Sequence, residues 1–288
     1  MQGAAGAVSF VLAFIAVQLL LTRFARFALD RPNERSLHEH PVPRTGGIAV
    51  LIGTAAAIPL GGIEVWPALG LALVLAAISL ADDLKGLPIA ARLGAHLVAA
   101  GVLVWYELSP IYLWQAALIV LGIAWLTNLY NFMDGSDGLA GGMTLIGFAA
   151  YSVAAAMAGE PELATTCLCI AAAAAAFLVF NFHPARIFLG DVGSIPLGFL
   201  AGALGVVGWN DEAWPLWFPL AVFAPFIADA TLTLARRLAR AERIWQAHRD
   251  HYYQRMVQSG LGHRGTAYVA YALMVLCAGA ALVGLPRA

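Results

Sequence analysis

Two carboxamides and two carboxylates stand within ten residues near the middle of the chain, in the stretch Asn-Leu-Tyr-Asn-Phe-Met-Asp-Gly-Ser-Asp from Asn128 to Asp137. Asn131 and Asp134 are the inner pair, and a glycine follows each carboxylate. Glycine lets backbone N–H groups approach a ligand, so the stretch suits an anionic or hydrogen-bonding substrate near the start of a helix. The alternative is a polar turn in which Asp137 caps that helix.

A single carboxylate with room around it lies in the later stretch 181–194, where Asp191 stands between Gly190 and Gly193. In proteins, Mg²⁺ is commonly bound by one or two carboxylates together with phosphate oxygens of a substrate. Asp191 is therefore a candidate Mg²⁺ ligand. The alternative is that Asp191 caps the apolar helix that follows.

Two adjacent carboxylates, Asp82 and Asp83, end another apolar stretch. Their charges repel each other, so the pair is more stable beside a cation or with one proton retained. The alternative is a solvated helix end.

Basic groups of complementary charge occur near the same helix ends. Arginine or lysine on a diphosphate, with Mg²⁺ bridging its oxygens, is the usual set of groups that positions a substrate for phosphoryl transfer. The basic candidates are Arg44, Lys85, Arg92, His248, Arg249 and His251. Four other histidines are interpreted as structural, namely His38, His40, His96 and His263.

The elements that must position these groups are apolar. Of the 288 residues, 61% are apolar and 11% are charged, and the mean hydropathy is +0.79. A soluble domain has roughly 25% charged residues, so this composition excludes a soluble enzyme and predicts an all-α, polytopic integral membrane protein. The net charge of −1 supplies no basic surface for a nucleic acid. The three cysteines lie in apolar stretches and are interpreted as packing residues.

Ten apolar stretches predict about ten transmembrane helices, within a single membrane-embedded domain over residues 1–288. Their expected bounds are 3–27, 46–63, 66–81, 91–106, 112–129, 139–158, 162–181, 195–209, 213–235 and 267–285. Fifteen of the sixteen Lys and Arg residues lie in or beside five connecting segments, 28–45, 82–90, 130–138, 182–194 and 236–266. Because basic loops stay in the cytoplasm, these segments are predicted to be cytoplasmic, with both termini on the opposite side.

The candidate groups occur in an order that resembles a known family. The motifs are Pro32–His38 with Pro43–Gly47, then Asp82-Asp83, Asn128–Gly142, Phe182–Ser194 and the late histidine loop at 248–251. Each falls in or beside one of the five predicted cytoplasmic segments. Together they resemble the polyprenyl-phosphate N-acetylhexosamine-1-phosphate transferases, the MraY/WecA-type membrane enzymes.

The resemblance implies that N-acetylhexosamine 1-phosphate passes from a UDP-sugar to undecaprenyl phosphate or another polyprenyl phosphate, and that UMP leaves. It implies Mg²⁺ as the cofactor, with Mn²⁺ as a substitute and Asp191 as the main ligand. Asp82 and Asp83 would lie beside the reacting phosphates. Asp82 as a proton acceptor and Asp82 as a covalent nucleophile both stay open, so one-step and two-step routes are not separated.

The resemblance also implies roles around the substrates. Asn128, Asn131, Asp134 and Asp137 would line the nucleotide-sugar site, and Phe188 would lie against the uracil ring. His248 and His251 correspond to the C-terminal histidine cluster of the family. The run His-Arg-Asp-His lacks the consecutive histidines of the muramoyl-pentapeptide branch, which favours an O-antigen or capsule-initiating type.

The expected setting is a bacterial inner (cytoplasmic) membrane, with the active site facing the cytoplasm, membrane lipids as partners and a homodimer as a further expectation. The donor stays open among UDP-linked GlcNAc, GalNAc, QuiNAc and FucNAc. One rival hypothesis is a secondary transporter, which would carry ionisable groups near the membrane midplane, where only Asp229 and His96 are expected. An inactive scaffold is the other, and it would tolerate the loss of the carboxylates.

Overall fold

The computed structural model describes residues 2–24, 28–30, 41–57, 59, 66–243 and 248–286. Most of these residues are helical. The helices are α1 Gln2–Thr22, α2 Gly46–Ala57, α3 Trp66–Lys85, α4 Ile89–Leu108, α5 Leu113–Phe132, α6 Leu139–Ala158, α7 Pro161–Asn181, α8 Asp191–Asn210, α9 Trp217–Val222, α10 Ala224–Ala239, α11 Tyr252–Met256 and α12 Gly262–Val283. A π-helical turn, Val257–Leu261, joins α11 to α12. Two-residue strands, β1 Leu29–Asp30 and β2 Val42–Pro43, pair antiparallel.

Long apolar helices dominate because backbone groups inside a lipid bilayer must be hydrogen-bonded within their own segment. Eight helices in the described residues are long and apolar enough to cross a membrane. Large apolar side chains on their outer faces are exposed, among them Trp105, Leu118 and Leu276. This is the surface that lipid tails cover, and the predicted all-α polytopic membrane fold is confirmed.

Helix α8 is the centre of the bundle, since it is buried along nearly its whole length. It packs mainly against α3 and α5, while α7 packs against α1 and α6. Close helix approach is needed at the crossing of α2 and α8, where a Cβ on Gly47 would lie 2.2 Å from the Cα of Gly193. Small residues at this crossing bring the start of α8, and with it Asp191, against the start of α2.

The ten predicted spans fall on eleven helices of the described residues, and the predicted number of about ten transmembrane helices is corrected to eight, because α2, α9 and α10 are too short to cross a membrane by themselves. The span predicted over 213–235 is two helices divided at Phe223, because Pro225 has no N–H to donate and restricts the residue before it. The predicted loop start at Asp82 is wrong, since α3 continues to Lys85. The predicted start of the eighth span at 195 is also wrong, since α8 begins at Asp191.

Alternating helix directions bring the candidate residues to one end of the bundle. The carboxyl ends of α3, α5 and α7 meet the amino ends of α6, α8 and α12 there. Which side of a membrane this end faces, and the single domain over 1–288, stay predictions.

Candidate active site

One arginine joins the carboxylates of two different helices. Arg92, in the first turn of α4, places Nη1 3.0 Å from Asp82 Oδ2 and 3.9 Å from Asp191 Oδ2. The backbone N–H of Leu87 also donates to Asp82 Oδ1. Asp82 is thus fixed at the end of α3 and shares its cation with the first residue of α8. Asp191 does not cap α8, because the N-cap residue is Gly190.

The second carboxylate of the pair is buried rather than solvated. The Asp83 side chain is 4% exposed, and Asp83 Oδ1 lies 3.4 Å from Nη2 of Arg44. The same Nη2 donates to the Asp83 backbone carbonyl at 3.2 Å. Asp83 Oδ2 is buried and has no hydrogen-bond partner among the described residues. The alternative of a solvated helix end is therefore wrong for this pair.

The loop between α5 and α6 carries Asp134 against the start of α8. Asp134 Oδ2 accepts a hydrogen bond from the N–H of Gly190 at 3.2 Å. Removal from water raises the pKa of the Asp134 carboxyl well above its usual range, and the nearby charge of Asp191 raises it further. Asn131 hydrogen-bonds to Asp191, and its Oδ1 accepts from Ser194 Oγ at 3.4 Å. This loop and α8 therefore present one continuous polar surface.

The carboxylates of this surface can supply part of the coordination shell of a divalent cation, and a substrate would supply the rest. Among the described residues, no group of three His, Cys, Asp or Glu side chains is arranged to hold a metal ion by itself. Asp82 and Asp191 nevertheless share one cation, Arg92, and Asp83 offers a buried carboxylate oxygen without a partner. Mg²⁺ usually takes only one or two protein carboxylates and completes its shell with water and substrate phosphates. The residues fit Mg²⁺ that is held jointly with a diphosphate.

Asp137 is surrounded by two histidines that the sequence did not single out for this site. Its Oδ2 lies 2.6 Å from His183 Nδ1 and accepts from the Ala185 N–H at 3.1 Å. His263 Nδ1 lies 3.7 Å from Asp137 Oδ1 and 2.9 Å from Ser136 Oγ. The two imidazole rings stack with centroids 5.4 Å apart. Asp137 thus links three segments that are far apart in sequence.

Asp137 does not cap α6. Gly138 is the N-cap residue, with φ of 76°, and its N–H donates to Asn181 Oδ1 at 3.0 Å. Positive φ favours glycine, which explains the Gly after Asp137. His263 was interpreted as structural, and no sequence pattern indicated that it contacts this loop. The only sequence signal for His183 was its place in the 181–194 motif.

The histidine loop lies beside the end of α5. The His251 ring stacks on Phe132 with centroids 6.0 Å apart and lies 5.0 Å from the ring of His248. Burial lowers the pKa of His248, and the neighbouring His251 and Arg237 lower it further. Arg249 lies half-buried in the same loop. The predicted pair of histidines is therefore adjacent to the helix that carries Asn128 and Asn131.

Two cavities adjoin the site. One of about 130 Å³ lies between α3, α4, α5 and α8. Aliphatic side chains and Phe132 line part of it, and the polar lining residues are Ser79, Asp82, Arg92, His96, Asn128, Asn131 and Asp191. The other, of about 440 Å³, is almost entirely apolar and lies between α10, α11 and α12. The smaller cavity thus combines ionic groups with an apolar wall.

Some predicted site residues lie at the margin. Lys85 is exposed at the end of α3, and no hydrogen bond or ion pair joins it to another described residue. Phe188 is half-buried, with its backbone bonded to Pro43 and Gly46. Asn128 Nδ2 lies 3.3 Å from His96 Nδ1, and both residues line the smaller cavity. The motif at 32–38 and its His38, together with His40, lie outside the described residues.

Comparison with known proteins identifies the family. Residues 65–209, which include Asp82, Asn128 and Asp191, match glycosyl transferase family 4. The chain is 28% identical to a probable undecaprenyl-phosphate N-acetylglucosaminyl 1-phosphate transferase of Bacillus subtilis, over 92% of this chain and 80% of the relative. It is 30% identical to the decaprenyl-phosphate N-acetylglucosaminephosphotransferase of Mycolicibacterium smegmatis, over 88% and 74%.

A third relative matches a shorter region. The phospho-N-acetylmuramoyl-pentapeptide-transferase of Moorella thermoacetica is 40% identical over 38% of this chain and 34% of the relative. The two longer alignments cover most of the chain, and the family match covers half of it. The chain therefore belongs to glycosyl transferase family 4, which confirms the resemblance that its motifs carry.

Proposed function

We propose that this chain is a membrane glycosyl-1-phosphate transferase that moves N-acetylhexosamine 1-phosphate from a UDP-sugar to a polyprenyl phosphate. The observation that carries the proposal is the cavity in which Asp82, Arg92 and Asp191 meet the apolar walls of α3, α4, α5 and α8. A polyprenyl phosphate has the same two parts, an anionic head and a hydrocarbon chain. The names of the Bacillus and Mycolicibacterium relatives support this acceptor class.

In the proposed reaction, an oxygen of the lipid phosphate attacks the β-phosphorus of the UDP-sugar. A new P–O bond forms there, the bond from the β-phosphorus to the bridging oxygen breaks, and UMP leaves with that oxygen. A phosphomonoester has a second pKa near ~6, so the attacking group is largely ionised at neutral pH. A general base is therefore optional, and Asp82 as proton acceptor or covalent nucleophile stays an alternative.

The acceptor phosphate is assigned to Arg92, the cation that lines the smaller cavity. Its guanidinium is already held by Asp82 and Asp191, so it is oriented before a substrate arrives. Arg44, which contacts Asp83, is the second candidate for a phosphate contact. Positioning by such groups is the main contribution that a protein makes to phosphoryl transfer.

The proposed cofactor is Mg²⁺, with Asp191 as the main ligand. Asp83, which is close enough to feel the charge of Asp191 and has a buried Oδ2 without a partner among the described residues, is the second candidate ligand. When bound, the ion supplies charge neutralisation on the diphosphate. Mn²⁺ is the proposed substitute, since carboxylate and water ligands suit both ions.

The nucleotide-sugar is assigned to Asn128 and Asn131 near the end of α5, and to Asp134 and Asp137 in the loop that follows. His183 and His263 contact the carboxylate of Asp137 in this loop. Phe188 lies in the segment that precedes Asp191, which suits a ring contact with the uracil. GlcNAc is the first donor to test because the names of the two long-aligned relatives contain it. An O-antigen or capsule pathway stays a prediction from the histidine motif.

The proposed location is a bacterial cytoplasmic membrane with the site facing the cytoplasm. The charge distribution supports this orientation, since fifteen of sixteen basic residues accompany the loops at the site. UDP-sugars are cytoplasmic metabolites and the acceptor is a lipid, so both substrates reach this surface. A homodimer stays a prediction.

A direct test measures UMP release by purified protein with undecaprenyl phosphate and a panel of UDP-N-acetylhexosamines, with Mg²⁺ and with chelator. Asp191→Asn is the site variant, and Asp211→Asn at the other end of the same helix is its charge-matched control. We expect lipid-dependent release that is lost with chelator and lowered at least about 100-fold in Asp191→Asn. The control should retain activity. No release with any donor from folded protein would contradict the proposal.

A further inference from the structure

Asp229 is an acidic residue of α10 that the proposed reaction does not use. Its side chain is 9% exposed, and its carboxylate accepts four hydrogen bonds. Oδ1 accepts from Thr233 Oγ1 at 3.3 Å, from His251 Nδ1 at 3.1 Å and from the Tyr252 N–H at 2.9 Å. Oδ2 accepts from the Tyr253 N–H at 3.0 Å. One carboxylate therefore holds both the start of α11 and an imidazole of the histidine loop.

The geometry fixes which nitrogen of His251 carries a proton. An ionised carboxylate can only accept hydrogen bonds, so His251 Nδ1 must be protonated to donate to Asp229. Nε2 of the neutral ring is then the nitrogen that accepts. His251 is 4% exposed, and stacking against Phe132 and Tyr253 restricts rotation of its ring.

The same group of residues touches the loop of Asp134. The Tyr253 hydroxyl donates to the carbonyl of Phe132 at 3.0 Å, at the end of α5. Gly135 faces that hydroxyl so closely that a Cβ there would lie 2.2 Å from it. Phe132 also lines the cavity that holds Asp82 and Asp191. Asp229 is thus joined to the site through His251 on one side and Tyr253 on the other.

We propose that Asp229 is a positioning residue of the transferase, which holds His251 as the Nδ1–H tautomer and leaves Nε2 as the acceptor nitrogen of a ring stacked beside the site. The activity part of this inference rests on the proposed function, whereas the tautomer part does not. Asp229 itself touches neither substrate in this account. Outer carboxylates that orient a histidine typically change activity by about 10–100-fold when they are replaced.

Asparagine is the informative substitution at this position. It has the shape of aspartate, but one oxygen becomes an NH₂ group that donates. Two backbone N–H groups and an imidazole N–H donate to the carboxylate, and each of its two oxygens accepts at least one of these bonds. The NH₂ group of an asparagine would therefore face an N–H donor in either orientation. If the amide oxygen takes the place of Oδ2, the NH₂ group faces His251 Nδ1 and favours the other tautomer. If it takes the place of Oδ1, the NH₂ group faces the Tyr253 N–H, and His251 keeps only a neutral acceptor in place of a carboxylate.

The kinetic experiment compares Asp229→Asn, His251→Gln and the double variant in UMP release, with protein quantified as folded by size-exclusion chromatography. We expect each single variant to lower kcat by about 10–100-fold. Because Asp229 acts through His251, the kcat of the double variant should be no more than about 2-fold below the kcat of the less active single variant. A double variant whose loss equals the product of the single losses would overturn the proposal.

Asp211→Asn is the charge-matched control, since it removes an acidic side chain at the far end of α8, away from the histidine loop. Asp211 is exposed. We expect its kcat to stay within about 2-fold of the wild type. An equal loss in Asp211→Asn and Asp229→Asn would mean that activity responds to the loss of any acidic side chain, which contradicts a specific role for Asp229.

A spectroscopic measurement separates this inference from the proposed function. In protein labelled with ¹⁵N-histidine, the His251 signal is assigned by its absence from His251→Gln. We expect a protonated Nδ1 and an unprotonated Nε2 in the wild type, whether or not the protein turns over any donor tested. A wild-type His251 that is protonated at Nε2 alone would overturn the inference, even if Asp229→Asn does not fold. Absence of UMP release with the expected tautomer would instead count against the proposed function.

Discussion

At the scale of single residues, chemical type and local spacing predict the carboxylates but not their partners. Asp82, Asp83 and Asp191 were recognisable because acids are costly at the ends of apolar helices. The contact of Asp137 with His183 and His263 joins residues 46 and 126 positions apart, so no local pattern indicates it. His263 was interpreted as structural because a lone histidine has no motif of its own.

Asp134 gives a residue-scale prediction that separates stability from activity. In Asp134→Asn, the amide oxygen can still accept from the Gly190 N–H, and repulsion with Asp191 is lost. We therefore expect the thermal midpoint to be equal or higher, while kcat/KM for UMP release falls by about 100-fold or more. Differential scanning fluorimetry and initial rates measure the two quantities. A variant with a lower midpoint and an unchanged rate would contradict the role assigned to Asp134.

Arg92 gives a second residue-scale prediction, about substrate binding. Arg92→Gln removes the cation assigned to the acceptor phosphate, and a hydrogen bond to a charged group is worth about 1.5–3 kcal/mol. The KM for undecaprenyl phosphate should rise by about 10–100-fold, and the KM for the UDP-sugar should change less. Arg264→Gln, which removes an exposed arginine near Tyr268, is the control. A larger rise in the KM for the UDP-sugar than in the KM for undecaprenyl phosphate would contradict the assignment of the acceptor phosphate to Arg92.

At the scale of elements, hydropathy predicts where helices lie better than where they end. The bounds of α6 agree with the prediction, since Gly159 ends an uninterrupted apolar run there. Errors occur where polar site residues are part of a helix, as at Asp82 in α3 and Asp191 in α8. A charge lowers local hydropathy, but ionic partners such as Arg92 allow the helix to continue. These errors therefore fall at the candidate site.

The crossing of α2 and α8 gives an element-scale prediction. In Gly47→Ala, the new Cβ would lie 2.2 Å from the Cα of Gly193, so the helices must move apart. Overpacking of this kind costs about 1–3 kcal/mol, and the movement also displaces Asp191. We expect a lower thermal midpoint together with lower activity. Gly101→Ala on α4, where no atom lies within 4 Å of the new Cβ, should leave both unchanged or raise the midpoint slightly. Equal effects of the two substitutions would contradict this account.

At the scale of the whole molecule, the distribution of basic residues predicts orientation without any structure. The structure then groups the candidate residues at one end of the bundle, as the predicted cytoplasmic loops require. A transporter was disfavoured because its ionisable groups should lie near the midplane, and Asp229 is instead bonded to the histidine loop at the site end. The donor could not be predicted, because sugars that differ by one hydroxyl can be distinguished by small changes in loop side chains.

Orientation can be measured with two matched serine substitutions. Replacing Cys167, Cys169 and Cys277 by alanine gives a background for single cysteines at Ser259, near the site end, and at Ser109, at the opposite end. Both serines are exposed. In intact spheroplasts, an impermeant maleimide should label Ser109→Cys and leave Ser259→Cys unlabelled until the membrane is opened. The reverse labelling would contradict the cytoplasmic site.

The most direct test of the account follows the β-phosphorus of the donor. Purified protein is given undecaprenyl phosphate and UDP-GlcNAc labelled with ³²P at the β-position, and the butanol and water phases are counted. Transfer of a sugar 1-phosphate predicts that the label enters the lipid phase and that unlabelled UMP appears in water in equal amount. Label that stays in water as UDP, while GlcNAc alone enters the lipid, would mean simple glycosyl transfer and would contradict the central claim.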